Sequence, residues 1–120
     1  MIKKMIAMTA LAMLFSGTSY AQREMPKADA STQAMVNLCQ DTADQEGQNF
    51  CFGFGEGVYQ ANMINRDSRA AKTICVPEGM SRRDVLADFI KWSRANPQYD
   101  NDQAAATVMR YLPLRFPCMG

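Results

Sequence analysis

Four cysteines and no histidine decide what chemistry this 120-residue chain can do. Without histidine there is no Ser-His or Cys-His catalysis, no imidazole acid–base work and no imidazole metal ligand. Cys39, Cys51, Cys75 and Cys118 contain no C-x-x-C pair. An even cysteine count in a small exported chain reads as two disulfides, and a four-cysteine zinc site is the rival reading. Glu56, between Gly55 and Gly57, is the oddest carboxylate, but its ordinary reading is a surface residue on a helix. The Gly-x-Gly-x-x-Gly pattern of a phosphate loop fails because its last position is Val58. The methionines are scattered along the chain, as core filler is. The expectation is a binding protein with no cofactor and no metal, not an enzyme.

The compartment follows from the first 21 residues. Lys3 and Lys4 precede an apolar run from Ile6 to Phe15, and Ser19-Tyr20-Ala21 is a small-x-small cleavage site. This is the pattern of a secretory signal peptide, with residues 22–120 as the exported domain, beginning near Gln22. The apolar run is too short to span a bilayer. Removing Lys3 and Lys4 from 13 basic residues leaves 11 against 12 acidic ones, a formal charge of −1. That balance points to neither nucleic acid nor an anionic membrane surface. A domain this small has a marginal core, so two disulfides would supply a large share of its net stability.

The elements that position the cysteines are helical. Thr73 to Pro97 holds the clearest one. Pro77 and Gly79 make a turn, Ser81 and Asp84 form a capping box, and Val85, Leu86, Phe89, Ile90 and Ser93 recur at helical spacing with Trp92 on the flank. Pro97 stops the helix. A first helix is read over about Ser31 to Thr42, with Met35, Leu38, Cys39 and Thr42 on one stripe and Val36 beside it. A second is read over about Gln48 to Ile64, with a stripe of Phe50, Phe54, Val58 and Ala61. Gly53 and Gly57 lie one turn apart on one face of it, as places where another helix comes close. In the fourth helix, capped by Asp100 and ended by Pro113, the apolar face is Ala105, Val108, Met109 and Leu112. Phe116 and Cys118 return to the core. The fold class is all-α, a small four-helix bundle stabilised by two disulfides. Cys39–Cys118 with Cys51–Cys75 is the favoured pairing because it closes long loops and pins the tail. Cys39–Cys51 with Cys75–Cys118 is the rival, stapling the first two helices, and spacing does not choose between them.

The ordered set of Cys39, Phe50-Cys51-Phe52-Gly53-Phe54 with Gly57, Ile74-Cys75-Val76-Pro77-Glu78-Gly79, Asn96-Pro97 and Arg115-Phe116-Pro117-Cys118 resembles the Rap/Tai immunity family of bacterial type VI secretion systems. The resemblance covers nearly all of the exported chain. It implies a periplasmic, disulfide-bonded immunity protein, usually a homodimer, whose partner is a secreted peptidoglycan amidase of the papain-like cysteine peptidase type. It also implies that the loop between the third and fourth helices enters the amidase cleft. On this chain that loop is Asn96, Pro97, Gln98, Tyr99, Asp100, Asn101 and Asp102. Its residue types agree with that role: it is polar and turn-rich, with one tyrosine and two aspartates to meet a basic rim. Tyr99 looks exposed, though its ring has equal reason to pack under its own loop. The runner-up function is a periplasmic acid-stress chaperone of the HdeA type, which is also small, helical and disulfide-containing.

Overall fold

The structure is a computed structural model and describes residues 29–119. The expected signal peptide, its cleavage site and the residues up to 28 lie outside the described residues. Four helices make the fold: α1 (Thr32–Cys39), α2 (Gln45–Asn65), α3 (Arg82–Arg94) and α4 (Ala104–Arg115), with one 3₁₀ turn, Pro97–Tyr99, between α3 and α4. Among the described residues there are only two isolated bridge pairs, Ser31 with Gln103 and Ile74 with Pro117, and no strand. The all-α, disulfide-stabilised bundle read from the sequence is the architecture found.

The cysteine pairing is the rival one. Cys39 bonds Cys51, and Cys75 bonds Cys118. The favoured pairing, Cys39–Cys118 with Cys51–Cys75, is therefore wrong, and the reason is local. α1 ends at Cys39 and the chain turns back within five residues, so Cys51, two turns into α2, lies 5.9 Å from Cys39 between Cα atoms. The hairpin places these two side chains together before any long-range contact is needed. The turn is fixed by two polar side chains and a glycine. The Asp44 carboxylate accepts from Gly47 N at 3.0 Å and caps α2. Gln48 is buried and donates its amide to Cys39 O (2.8 Å), which α1 leaves open, and to Asp41 O (2.9 Å) in the turn. Gly47 has no room for a side chain: a Cβ there would sit 2.5 Å from Asp44 Oδ2.

α3 is built as its sequence indicates. The Ser81–Asp84 capping box is complete, and Leu86, Phe89, Ile90 and Ser93 are buried. Gly79 has φ +82°, which its lack of a Cβ allows. The remaining core residues are Met35, Val36 and Cys39 from α1, Cys51 from α2, Ala104, Val108, Tyr111 and Leu112 from α4, and Ile74 and Phe116 from the irregular segments.

Several helix faces differ from expectation. Phe50 and Ala61 of the supposed α2 stripe are exposed, while Phe54 and Val58 are half-buried. α2 buries only Gly47, Gln48 and Cys51, because the turn from α1 rotates that edge inward. Among the described residues no neighbour comes within 4 Å of a Cβ built at Gly53 or Gly57, so no described helix approaches there. In α1, Leu38 is exposed and Thr42 lies beyond the helix. In α4, Ala105 is exposed, and Thr107 and Tyr111 face inward instead. Pro113 does not end α4, which runs on to Arg115. Phe116 N still reaches Leu112 O at 2.9 Å, so proline leaves one donor out without ending the helix.

Tyr111 holds α3 and α4 together. It is fully buried, edge-on to Phe89 (5.2 Å) and Phe116 (5.9 Å), and its hydroxyl donates to Asp88 Oδ2 at 2.6 Å. Arg115 Nε donates to the same oxygen at 2.9 Å. Burial acts to raise the Asp88 pKa, but the bonds from Tyr111 and Arg115 outweigh it and hold the carboxyl below its usual range. Burial and the adjacent carboxylate push the Tyr111 phenol far up, so it stays a neutral donor.

Candidate functional site

The loop from Asn96 to Asp102 starts where α3 runs out. Ala95 N and Asn96 N close the last turn on Trp92 O and Ser93 O, and the Asn96 side chain donates to Trp92 O at 2.7 Å. The 3₁₀ turn follows, with Tyr99 N on Asn96 O (3.2 Å), Asp100 N on Pro97 O (3.1 Å) and Asp102 N on Tyr99 O (3.0 Å). Successive backbone bonds leave this stretch little freedom.

A second set of bonds ties the loop to the far end of the chain. Thr32 N donates to Asp102 O at 2.8 Å and Gln33 N to Asp100 O at 3.0 Å. Ser31 Oγ accepts from Ala34 N at 3.2 Å. The first three amides of α1, which no intrahelical carbonyl reaches, are thus satisfied, two of them by the loop. The Thr32 hydroxyl also donates to Asp102 O at 3.0 Å. It lies 2.6 Å from the Thr107 hydroxyl. Since Thr32 has a single hydroxyl proton, Thr107 donates in that pair. Both threonines are buried.

The third tie is aromatic. The Tyr99 ring stacks on Trp92 at 5.6 Å with 8° between planes, and the Arg110 guanidinium sits 4.8 Å over the same ring. The tyrosine is half-buried and packs against its own scaffold, which corrects the exposed appearance it has in the sequence. Asn96 and Asp100 are half-buried too. The loop residues turned fully to solvent are Pro97, Gln98, Asn101 and Asp102. All seven expected site residues lie on one short segment, and the structure divides them into those that hold it and those it presents.

Sequence reasoning missed the partners that make the loop rigid. Trp92 was placed only on a helix flank, and Arg110, Thr32 and Thr107 were not singled out. The spacing of 104, 107, 108, 111 and 112 is helical and marks the inward face of α4, which would have found Thr107 and Tyr111.

Next to the loop, a polar cavity of about 200 Å³ lies between α1 and α3, lined by Gln33, Asn37, Gln40, Ser93, Arg94 and Asp100. Arg94 donates to Gln40 there. A larger, mainly apolar cleft of about 300 Å³ lies between α2 and α3 and is walled by Phe52, Tyr59, Met80 and Val85. Glu56 and Arg82 line it, Glu56 accepting from Gln60 Nε2 and Arg82 lying over Phe52. Neither cavity brings a nucleophile and a base together. Among the described residues no three or more Cys, Asp or Glu side chains gather as a metal site, and no helix is long and apolar enough to cross a membrane.

The model of a family described as Rap1a immunity proteins matches residues 31–118, from the serine that caps α1 to the last cysteine. No curated protein and no solved structure matches the chain.

Proposed function

This chain belongs to the Rap1a immunity protein family, and from that premise we propose that it neutralises a secreted peptidoglycan amidase in the periplasm by occupying the enzyme's cleft with the loop Asn96 to Asp102. An immunity protein acts by binding a cognate effector. The finer reading concerns which effector, where, and through which surface.

One observation carries it. The loop is held from three sides, by the α3 terminus, the amides of α1 and the Trp92–Tyr99–Arg110 stack, with Pro97, Gln98, Asn101 and Asp102 left facing solvent. A protein that blocks a cleft binds tightly when the blocking element is ordered before contact, because no conformational freedom is lost on docking. Asp102 adds an exposed carboxylate with no ion pair among the described residues, suited to a basic rim and to faster association. Two disulfides and the buried Asp88–Tyr111 bond hold the helices under this loop. That construction suits an inhibitor better than an acid-stress chaperone, which must open to expose apolar surface.

The test is peptidoglycan digestion by the papain-like amidase encoded beside this protein, with and without one equivalent of the oxidised chain. Loss of hydrolysis, restored when Gln98 and Asn101 are both changed to alanine, is the expected result. Full hydrolysis with the wild-type chain present overturns the amidase reading. Inhibition that survives the double substitution overturns the role of the loop.

A further inference from the structure

We propose that the cleft between α2 and α3 binds a small zwitterion with an apolar body, the chemistry of an apolar amino acid or of a short apolar peptide with both ends charged. The cleft is deep. Its floor is the core itself, with Met35, Leu86, Phe89, Val108 and Leu112 from three helices, all buried. Phe52 and Tyr59 of α2 stand on one side, Met80 and Val85 on the other. Packed interiors leave few voids larger than a water molecule, so an open space of about 300 Å³ against the core of so small a domain needs a cause. An apolar cavity of about 150 Å³ holds a benzene ring. Apolar and aromatic walls with a few placed polar groups are the make-up of small-molecule sites.

α2 keeps this space open. Gly55 lines the cleft, and a Cβ built there meets nothing within 4 Å. Glycine weakens a helix interior relative to alanine, and no described neighbour needs this position bare. What its bareness preserves is the volume of the cleft. Two charges of opposite sign stand at the mouth, one from each bank. Glu56 of α2 and Arg82 of α3 both line the cleft, and both are exposed. Among the described residues neither has an ion-pair partner. Glu56 accepts from Gln60 Nε2 at 2.9 Å. Arg82 lies 4.8 Å over the Phe52 ring, which holds the guanidinium against the cleft wall. The ligand's carboxylate meets Arg82, its ammonium meets Glu56, and its apolar body enters the cleft. A fatty anion would suit Arg82 but set its charge near Glu56, and an apolar amine has the opposite fault. None of the residues from Asn96 to Asp102 lines the cleft, so this site is separate from the surface proposed to meet the effector.

Titration of the oxidised protein, followed by its backbone amide shifts, tests this with two probes. L-phenylalanine represents the free amino acid and L-leucyl-L-phenylalanine the peptide, and the tighter of the two identifies the source. It should shift the amides of Phe52, Gly55, Tyr59 and Arg82 with a dissociation constant of about 1 mM or below. Removing a charge from the ligand should cost as much as removing its partner from the protein. The N-acetylated form of the tighter probe should bind about tenfold more weakly and be indifferent to Glu56→Gln. Its C-terminal amide should also lose about tenfold and be indifferent to Arg82→Gln. Gly55→Leu fills the space and should abolish the shifts without lowering the melting temperature. Gly57→Leu, on the same helix but outside the cleft, should leave them unchanged. The blocked probes decide the matter without any variant at Gly55. Absence of shifts with both probes at about 10 mM overturns the proposal. So does binding that survives Gly55→Leu, or that is blind to both acetylation and amidation. Shifts that follow protein concentration and not added probe mean that another protein chain fills the cleft, and overturn it as well. Failure here leaves the loop's role where it stood.

Discussion

Tyr99→Ala separates a residue that positions the loop from one that touches the partner. The substitution removes a stacked pair with Trp92 and a cation–π contact with Arg110. An aromatic pair contributes about 0.5–1.5 kcal/mol beyond its area, and a partly exposed cation–π contact about 0.5–1 kcal/mol. The loop should lose about 2 kcal/mol of local stability, which is about 30-fold in its opening equilibrium. The bonds from Thr32 N and Gln33 N to the loop carbonyls survive the substitution, and the helical core does not contain Tyr99. Hydrogen exchange read amide by amide is therefore the assay. Protection at Tyr99, Asp100 and Asp102 should fall about 30-fold, while that of α2 and α3 stays within about twofold. If the loop enters an amidase cleft, affinity should fall by a similar factor, because the ordering cost is then met on binding. Unchanged exchange at these amides would refute the claim that the stack holds the loop. Lost protection throughout the protein would refute the claim that the loop opens separately from the core.

Four further outcomes are expected. Tyr111→Phe removes the donor from a 2.6 Å bond to an ionised carboxylate; because Asp88 keeps Arg115, we expect a loss of about 1.5–2 kcal/mol by chemical denaturation. The Asp88 carboxyl titrates lower folded than unfolded, so its contribution is complete above about pH 4 and is lost as pH falls through the folded value; Asp88→Asn should flatten that part of the acid unfolding curve. Removing Cys75–Cys118, which spans 43 residues, should cost about 1 kcal/mol more than removing Cys39–Cys51, which spans 12, on the loop-entropy estimate of about 4 against about 3 kcal/mol. Gly47→Ala should lower stability by about 1–2 kcal/mol, because its Cβ displaces the Asp44 carboxylate from the α2 cap.

The parts of the fold legible in the sequence are those with local causes. α3 carries its own start, periodicity and stop, and the structure reproduces it within a residue or two. The α2 face was misread because its buried edge consists of Gly47, Gln48 and Cys51, chosen for a turn and a carbonyl cap and not for hydropathy. The periodic aromatic stripe drew attention to a different side. Asp100 was expected to cap α4, but the structure makes Gln103 the N-cap and gives α4 no side-chain cap. The carbonyls of Asp100 and Asp102 serve α1 instead, a tertiary use that spacing does not reveal. The loop's location was readable from Asn96-Pro97 and the resemblance, while its presentation was not. Whether Tyr99 faces solvent depends on Trp92 and Arg110, residues on two different helices.

The bonds from Thr32 to Asp102 and Thr107 join positions 70 and 75 residues apart. Contacts of such separation close late in folding, after the entropy of the intervening chain has been overcome. The loop between α3 and α4 is thus expected to take its shape late, once the beginning and end of the domain have met. A partly synthesised or misfolded chain carries the same seven residues without the surface they form together. If this loop meets the effector as proposed, completion of the fold acts as the licence for recognition, and only finished molecules compete for the partner.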